Sequence, residues 1–313
     1  MNNLLDKRMS VWKSHGLILK PDKTKYWMQS HISVPTLEHI NKYIYRMYFC
    51  SRDIHNRFQI GYTEFDIRNP KETIFITKEP VLKIGELGTF DDSGVTPTWV
   101  LNHNKKKYLY YVGWNKGATV RFVVHVGLAI SEDNGKTFYR HSKAPILERT
   151  NTEPLMTATL SIIKVNDLYR MWYISGDKWY SKNDETFPIY NVKYAESYDG
   201  INWIRDSHIC IDYRNNEEHA LARPCVIFND GIYEMWYSHK GHDGVDYQIG
   251  YAQSVDGLKW ERMDDNIIIN KAKDGFDSNM QAYAFIINHE DKKYMFYNGN
   301  NYGFDGIGYA TIK

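Results

Sequence analysis

The sequence of 313 residues has little of several features that mark large classes of protein. It has three cysteines, Cys50, Cys210 and Cys225; the odd number, with two of them inside predicted strands, indicates free buried thiols. Basic and acidic residues nearly balance, at 39 and 38, which argues against nucleic acid or an anionic membrane as the main partner. No apolar run has the length of a transmembrane helix, and residues 1–8 lack the apolar segment of a signal peptide. We therefore expect a cytoplasmic protein that acts away from membranes.

Sequence motifs for common cofactors and for several kinds of catalysis are also missing. No group of histidines and cysteines has the spacing of a zinc site, and there is neither a Walker loop nor a dinucleotide fingerprint. No Gly-x-Ser-x-Gly elbow supports a catalytic serine, histidine and aspartate. We therefore expect no metal and no cofactor, and the sequence makes no prediction of the oligomeric state.

A short motif recurs along the chain at a period of roughly 60 residues, which indicates a repeat architecture. In its full form, a strand containing Gly-Tyr-Ala is followed by a Ser-x-Asp-Gly turn and then by an aromatic residue. The copies lie at 61–63, 127–138, 194–203, 250–260 and 308–310, and the first and last keep only the strand. The aspartate of each turn is expected to cap its own tight turn, which is a structural role.

Each repeat also carries further apolar segments rich in aromatic and β-branched residues, which are typical of strands. In the fourth repeat these segments are 225–228, 233–237 and 267–269, in addition to 250–252. About four strands per repeat is the content of a propeller blade. The sequence therefore predicts an all-β fold, a five-bladed β-propeller with about four antiparallel strands per blade, formed by a single domain over 1–313.

The two ends of the chain complement each other in this pattern. The last repeat stops after its third strand, whereas Trp12–Leu19 repeats the pattern that runs from Trp260 to Ile269. We therefore expect the N-terminal segment 1–26 to supply the outer strand of the last blade. This closure would hide strand edges that could otherwise pair with another chain.

Carboxylates stand before the first strand in four of the five predicted blades. In a propeller this strand lines the axis, and its start faces the mouth of the central cavity. The candidates for catalysis are Asp92, Glu153, Glu218 and Asp277, while the first blade has Gln29-Ser30-His31 at this point. Carboxylates gathered around one axis repel, so at least one pKa is expected to rise toward the range of a general acid. Each carboxylate could instead be a solvated or turn residue.

Polar and aromatic side chains follow the second strands, which end at the same mouth, and loops on a rigid scaffold often carry function. Residues at the starts of the first strands and after the second strands are predicted to bind substrate. They are His31, Arg52, Trp114, Trp179, Arg223, His239, Lys240, Asn298 and Tyr302. The cationic members could hold phosphate, a sugar carboxylate or the phosphate of a nucleotide sugar, and the aromatic members could stack on sugar rings. His31 could also be a core histidine, and Arg223 could belong to a structural ion pair.

The repeat pattern at 194–200 and 251–260 resembles the five-bladed propellers of carbohydrate-active enzymes. These are glycoside hydrolase families 32, 43, 68 and 130, with the related mannosyl transferases and phosphorylases. The resemblance spans nearly the whole chain and is more specific for the fold than for the activity. It implies a glycan, sugar or sugar-phosphate ligand in the axial pocket, bound by acids at the starts of the inner strands.

The resemblance also implies roles for individual carboxylates. Glu153 is similar to the third-blade glutamate that is the general acid in family 43 and the acid/base in family 32. Asp92 stands where those families have a supporting aspartate, or where family 130 has its single proton-donating aspartate. Families 32 and 43 begin with an aspartate in the first blade, where this chain has Gln29-Ser30-His31. The resemblance therefore implies a family-130-like scheme in which phosphate or another acceptor attacks, or a base supplied by Glu218 or Asp277.

Two functions are consistent with these patterns. The first is an enzyme of polysaccharide synthesis or recycling that makes or breaks a glycosidic bond, with Asp92 or Glu153 protonating the leaving oxygen. The second is a glycan-binding or scaffold propeller without turnover, which the missing first-blade aspartate suggests. A sialidase-like enzyme fits less well, because those enzymes use six blades and three arginines, whereas only Arg52 and Arg223 match here.

Overall fold

A computed structural model describes residues 9–241, 246–270 and 273–312, and part of the predicted segment 1–26, residues 1–8, lies outside them. The strands of the first half are β1 Ser10–Leu19, β2 Ser30–Asn41, β3 Ile44–Arg52, β4 Phe58–Asp66, β5 Thr73–Ile76, β6 Gly94–His103, β7 Lys106–Lys116, β8 Phe122–Ser131, β9 Tyr139–Arg140 and β10 Thr157–Val165. Those of the second half are β11 Leu168–Lys182, β12 Glu185–Ser197, β13 Ile209–Ile211, β14 Glu218–Asn229, β15 Ile232–Gly241, β16 Gln248–Ser254, β17 Glu261–Arg262, β18 Ile267–Ile269, β19 Ala282–His289, β20 Lys292–Asn298 and β21 Ile307–Ile312. The described helical segments are a 3-10 turn at Asp264–Asn266 and a short turn, α1, at Asn300–Gly303. The predicted all-β class is thus confirmed.

The strands pair mainly in antiparallel groups that follow the sequence repeats. We call these groups unit 1 (β2–β5), unit 2 (β6–β9), unit 3 (β10–β13), unit 4 (β14–β17) and unit 5 (β19–β21 with β1). Units 3 and 4 belong to one eight-stranded sheet, where a parallel pairing of Tyr190 with Ala220 joins them. In unit 5, β1 lies antiparallel to β21 on one side and parallel to β18 on the other.

The first strands of the units lie side by side in cyclic order, with contacts between β2 and β6, β6 and β10, β10 and β14, β14 and β19, and β19 and β2. Arg223 of β14 is fully buried among them. Its guanidinium donates to the carbonyl oxygens of Thr98 and Pro35 and to the hydroxyls of Thr98, at 3.0 Å, and Thr36, at 2.9 Å. One side chain therefore ties β14 to β6 and β2 at the centre of the molecule.

The recurring glycine of the third strands is required by close packing. A Cβ on Gly127 would lie 2.6 Å from the rings of Phe90 and Tyr111, and one on Gly308 would collide with the ring of Phe276. These aromatic side chains come from the second strand or from the loop before the first strand. In units 2 and 5 the glycine thus lets the third strand pack against the segment before the first strand.

The Ser-x-Asp-Gly segments form the capped turns that the sequence predicts. In the copy at 254–257, the Ser254 hydroxyl accepts from the amide of Gly257, and Asp256 accepts from two later amides at 2.8 Å. The carbonyl of Gly257 accepts from the indole of Trp172 in unit 3, at 2.7 Å. Each such turn therefore also fastens its unit to the preceding one, as Tyr48 with Gly135 and Tyr110 with Gly200 do elsewhere.

Candidate functional site

The end of the molecule at which the first strands begin is shaped by kinks in those strands. Val34, Arg223 and Tyr283 each have a left-handed backbone, with φ of 56°, 53° and 59°. Strand register shifts at all three places. The amide of Tyr283 donates to the hydroxyl of Ser238 in unit 4, at 2.8 Å. We call the end of the molecule at which the first strands begin the mouth.

Two of the four predicted catalytic carboxylates are buried and hold the loop before the first strand onto the second strand. Glu153 accepts from the hydroxyl of Tyr173 at 2.7 and 2.9 Å, from Arg205 at 3.0 Å and from Ser207 at 3.0 Å. Asp277 accepts from Tyr297 at 2.8 Å and from Gln281 at 3.1 Å. Both residues are 1% exposed. Both oxygens of Glu153 and one oxygen of Asp277 thus accept structural hydrogen bonds.

A neighbour of Asp92 has the same structural role in unit 2. Asp91 is fully buried and accepts from Tyr111 at 3.0 Å, Arg140 at 2.7 Å and Thr89 at 2.9 Å. The tyrosine of the second strand thus reaches back to a carboxylate in units 2, 3 and 5. The equivalent tyrosine of unit 4, Tyr237, bonds to Asp264, at 2.6 Å.

Glu218 is held at the start of β14 by a set of donors. Arg262 donates to both of its oxygens, at 2.7 and 2.8 Å, and His239 lies 3.2 Å from one of them. Burial alone would raise the pKa of Glu218, but the hydrogen bonds from Arg262 and His239 outweigh burial and lower it to about 2. The predicted substrate residue His239 is therefore a partner of the predicted catalytic residue Glu218.

Asp92 is partly exposed at the mouth, and hydrogen bonds stabilise its ionised form. It accepts from the amide of Gly88 at 3.0 Å and from Ser93 and Asn115 at 2.8 Å each. Burial opposes ionisation, yet these three donors together lower the pKa of Asp92 below its ordinary value. The expectation that mutual repulsion raises a pKa is thus wrong for Asp92 and Glu218. The reason is that each accepts hydrogen bonds instead of facing another carboxylate.

Two basic side chains of unit 1, His31 and Arg52, lie close to each other. Burial, with the nearby charge of Arg52, lowers the pKa of His31 to about 4, so its imidazole is neutral at pH 7. Arg52 donates to Asn56 at 3.0 Å and stacks over the ring of Phe58 at 4.7 Å, and its buried Nε–H has no partner. Within the described residues its guanidinium contacts no carboxylate, so it can take an anionic ligand.

Half-buried aromatic rings form an arc along the mouth from this pair. Ring centroids are 6.4 Å apart for His31 and Phe58, 6.5 Å for Phe58 and Trp114, 5.0 Å for Trp114 and Phe122, and 5.5 Å for Phe122 and Trp179. We call these five side chains the aromatic arc. It brings together three of the predicted substrate residues, His31, Trp114 and Trp179, and joins units 1, 2 and 3.

A cluster of tyrosines from units 3, 4 and 5 also lies at the mouth. Tyr247 bonds through its hydroxyl to Tyr190, and its ring lies 5.7 Å from Tyr283 and 6.2 Å from Tyr302. Lys240 donates to the Tyr302 hydroxyl at 3.0 Å, and its ammonium lies 5.6 Å from the rings of both Tyr247 and Tyr302. The structure thus brings the predicted residues Lys240 and Tyr302 into contact.

Two further predicted substrate residues lie in the interior. The side chain of Asn298 donates to the carbonyls of Ile32 and Gly306 and accepts from Ser33 and Val34, which fixes unit 5 to unit 1. Arg223 forms the central contacts described above. Its partners are carbonyls and hydroxyls, and it forms no ion pair with any carboxylate in the described part of the chain; burial lowers its pKa to about 10.

The sequence reasoning missed an aromatic residue in each unit, near the start of the third strand or, in unit 3, further along β12, where Tyr190 pairs with Gly176. These residues are Phe58, Phe122, Tyr190, Tyr247 and Phe304, and the ring of Phe304 lies 5.4 Å from His31. The signal was available: third strands begin where second strands end, so their first residues face the same mouth.

Across 9–241, 246–270 and 273–312, no group of three or more histidine, cysteine, aspartate and glutamate side chains could hold a metal ion. No helix in this part of the chain has both the length and the apolar character that a membrane span requires.

Solved structures with the same fold are glycoside hydrolases. A glycosyl hydrolase from Bacteroides ovatus has a TM-score of 0.74 at 16% identity, with 100% of this chain and 96% of that chain covered. A thermostable family-43 glycoside hydrolase has a TM-score of 0.67 at 20% identity, with 90% of this chain and 88% of that chain covered. A third structure is described by the statement that the GH130 family of mannoside phosphorylases contains glycoside hydrolases that target β-1,2 mannosidic linkages in Candida mannan. It has a TM-score of 0.72 at 14% identity, with 100% of this chain and 96% of that chain covered. The fold is therefore that of the propeller glycoside hydrolases, as the sequence resemblance implied.

Two relatives share more of the sequence. The chain is 34% identical over 303 residues to the uncharacterized protein MT1551 of Mycobacterium tuberculosis strain CDC 1551, covering 97% of this chain and 99% of the relative. It is 33% identical over the same length to the uncharacterized protein Rv1502 of strain H37Rv. No family model matches the chain. The chain belongs to the same family as these two mycobacterial proteins.

Proposed function

We propose that this protein is a carbohydrate-active enzyme that makes or breaks a glycosidic bond in a glycan held at the mouth. We further propose that the five units are the blades of one closed propeller, with β1 completing the last blade. The cyclic contacts of the first strands and the pairing of β1 with β21 support this closure. The fold shared with glycoside hydrolases over the whole chain supports the substrate class, which is a glycan, sugar or sugar-phosphate.

The observation that carries the proposal is the position of Asp92 at the mouth. It combines partial exposure with a hydrogen bond from Asn115, a polar group that suits a sugar, and Asn115 directly follows Trp114 in β7. Aromatic faces and a few convergent polar groups are the usual lining of a ligand site. Asp92 would accept a proton or a sugar hydroxyl as an ionised base, or protonate the leaving oxygen when substrate displaces its donors.

The proposed reaction uses an external acceptor. Ordinary glycoside hydrolysis needs two carboxylates that flank the bond, and Glu153, Glu218 and Asp277 are committed to structural contacts. Phosphate or an anionic sugar group would bind at Arg52 beside the neutral His31, because the Arg52 guanidinium contacts no carboxylate of the described residues. We propose a cytoplasmic role in polysaccharide metabolism, without nucleic acid or membrane as a partner.

The test begins with a thermal-shift screen of sugars, phosphate and nucleotide sugars, because a ligand that binds the native state raises the melting temperature. On the substrate so found, Asp92→Asn should lower turnover by about a hundredfold or more, the usual size of acid–base catalysis. Glu217→Gln is the control and should leave turnover unchanged, because Glu217 is an exposed carboxylate just before β14, as Asp92 is a carboxylate just before β6. Full activity of Asp92→Asn would contradict the proposal.

A second candidate is a glycan-binding propeller without turnover. Two observations favour it. Unit 1 has Ser30 and His31 where hydrolysis would need a carboxylate, and Glu153, Glu218 and Asp277 accept structural hydrogen bonds. It predicts glycan affinity in the wild type and in Asp92→Asn alike, with no product after long incubation.

A further inference from the structure

The longest hairpin among the described residues is that of β11 and β12 in unit 3, and it extends outward from the mouth. β11 has 15 residues and β12 has 13, and five cross-strand pairs, from Lys178 with Ile189 to Lys182 with Glu185, continue above the level of Gly176. The hairpin turn at Asn183 and Asp184 has φ of 52° and 60°, as a tight two-residue turn requires. At 3.3 Å per residue the projection is about 15 Å. We call the segment 178–189 the arm.

Neighbouring units fix the direction of the arm. On one side Thr186 accepts from the amide of Arg121 at 3.0 Å, and the Arg121 guanidinium lies 5.8 Å from the ring of Phe187. On the other side the ring of Tyr180 lies 5.9 Å from His219 of unit 4. The arm is therefore held as a wall that spans from unit 2 to unit 4.

The aromatic arc leads from the mouth onto this wall. It starts at His31 beside Arg52, passes Trp114, whose chain neighbour Asn115 donates to Asp92, and ends at Trp179, the second residue of the arm. All five rings are half-buried, so each keeps part of its surface open to a ligand. A single sugar at Asp92 would use only the part of the arc around Trp114.

We propose that the arc and the arm form an extended binding track, so that the substrate is the end of an oligosaccharide rather than a free monosaccharide. This inference rests on the proposed function. The terminal sugar lies at Asp92, and the following sugars run past Phe122 to stack on Trp179.

The experiment compares binding of a tetrasaccharide and its monosaccharide by calorimetry, with β-1,2-linked mannotetraose against mannose and arabinotetraose against arabinose as probes. For a pair that binds, the tetrasaccharide should bind at least tenfold tighter to the wild type. Trp179→Ala should remove about tenfold of tetrasaccharide affinity and leave monosaccharide affinity unchanged. Tyr198→Ala is the matched control, because Tyr198 is 73% exposed at the opposite end of the same hairpin.

A second variant replaces residues 179–188 with Asn-Gly and should lose the tetrasaccharide preference altogether. Its melting temperature shows whether the fold survives, and Trp179→Ala decides the question if it does not. Equal affinity for both sugars in the wild type, or an unchanged preference in Trp179→Ala, would overturn the track while leaving the proposed function standing. No binding of either sugar of any pair would overturn both.

Discussion

Replacing Glu218 by glutamine separates a structural from a catalytic role for this carboxylate. The pKa of Glu218 is lowered from an ordinary value of 4.5 to about 2, and its side chain is 8% exposed. A free energy of about 1.4 kcal/mol for each factor of ten gives a stabilisation of about 3 kcal/mol at neutral pH. Because the folded pKa is below the unfolded one, this stabilisation is complete above pH 4.5 and is lost as the pH falls toward 2. Glu218→Gln should therefore lower the free energy of unfolding by about 2 to 3 kcal/mol at pH 7.

Urea denaturation at pH 7 and at pH 3 measures this effect, and Glu217→Gln is the control. The difference between Glu218→Gln and the wild type should shrink markedly at pH 3, whereas Glu217→Gln should match the wild type at both. Turnover by the folded Glu218→Gln protein should stay within a few-fold of the wild type. A variant as stable as the wild type at pH 7, but with turnover lowered a hundredfold, would refute the reasoning and make Glu218 catalytic.

Three further predictions concern other parts of the molecule. Gly308→Ala should destabilise the protein by about 1 to 3 kcal/mol, because a Cβ would collide with the ring of Phe276; thermal unfolding measures it. Arg223→Leu should lower the free energy of unfolding by about 3 kcal/mol or more, since the carbonyls of Thr98 and Pro35 lose their donor in a dry site; a wild-type denaturation midpoint would contradict this. Burial raises the pKa of Cys210 to about 12 and of Cys225 to about 11, so a thiol reagent at pH 8 should label neither until the protein unfolds.

The fold was predictable because its signals are local and repeated. Ser254, Asp256 and Gly257 form a turn by contacts within four residues, and the same spacing recurs in other units. The aromatic residue after each turn was also a reliable guide, since Trp260 packs edge-on against Trp172 at 6.0 Å. Such patterns predict the fold from sequence alone, because the residues in contact are close in sequence or recur with the period of the repeat.

The carboxylates were harder to assign because neighbours in sequence have opposite surroundings. Asp91 points inward to Tyr111 and Arg140, whereas Asp92 lies partly exposed with Asn115. No local pattern distinguishes them, since Arg140 arrives from 49 residues away. The role of Glu153 depends in the same way on Arg205, which enters from the end of unit 3. A carboxylate before an inner strand therefore indicates a place near the mouth, but its partners decide whether it can meet a substrate.

A crystal structure of Asp92→Asn grown with a glycan from the binding screen tests the central claim most directly. The account predicts a sugar ring at the mouth, within hydrogen-bond distance of residue 92 and against the ring of Trp114, with any anionic group on Arg52. A sugar bound instead in the outer cleft between units 1 and 2, a cavity of about 660 Å³ lined by Phe75 and Phe138, would contradict the account.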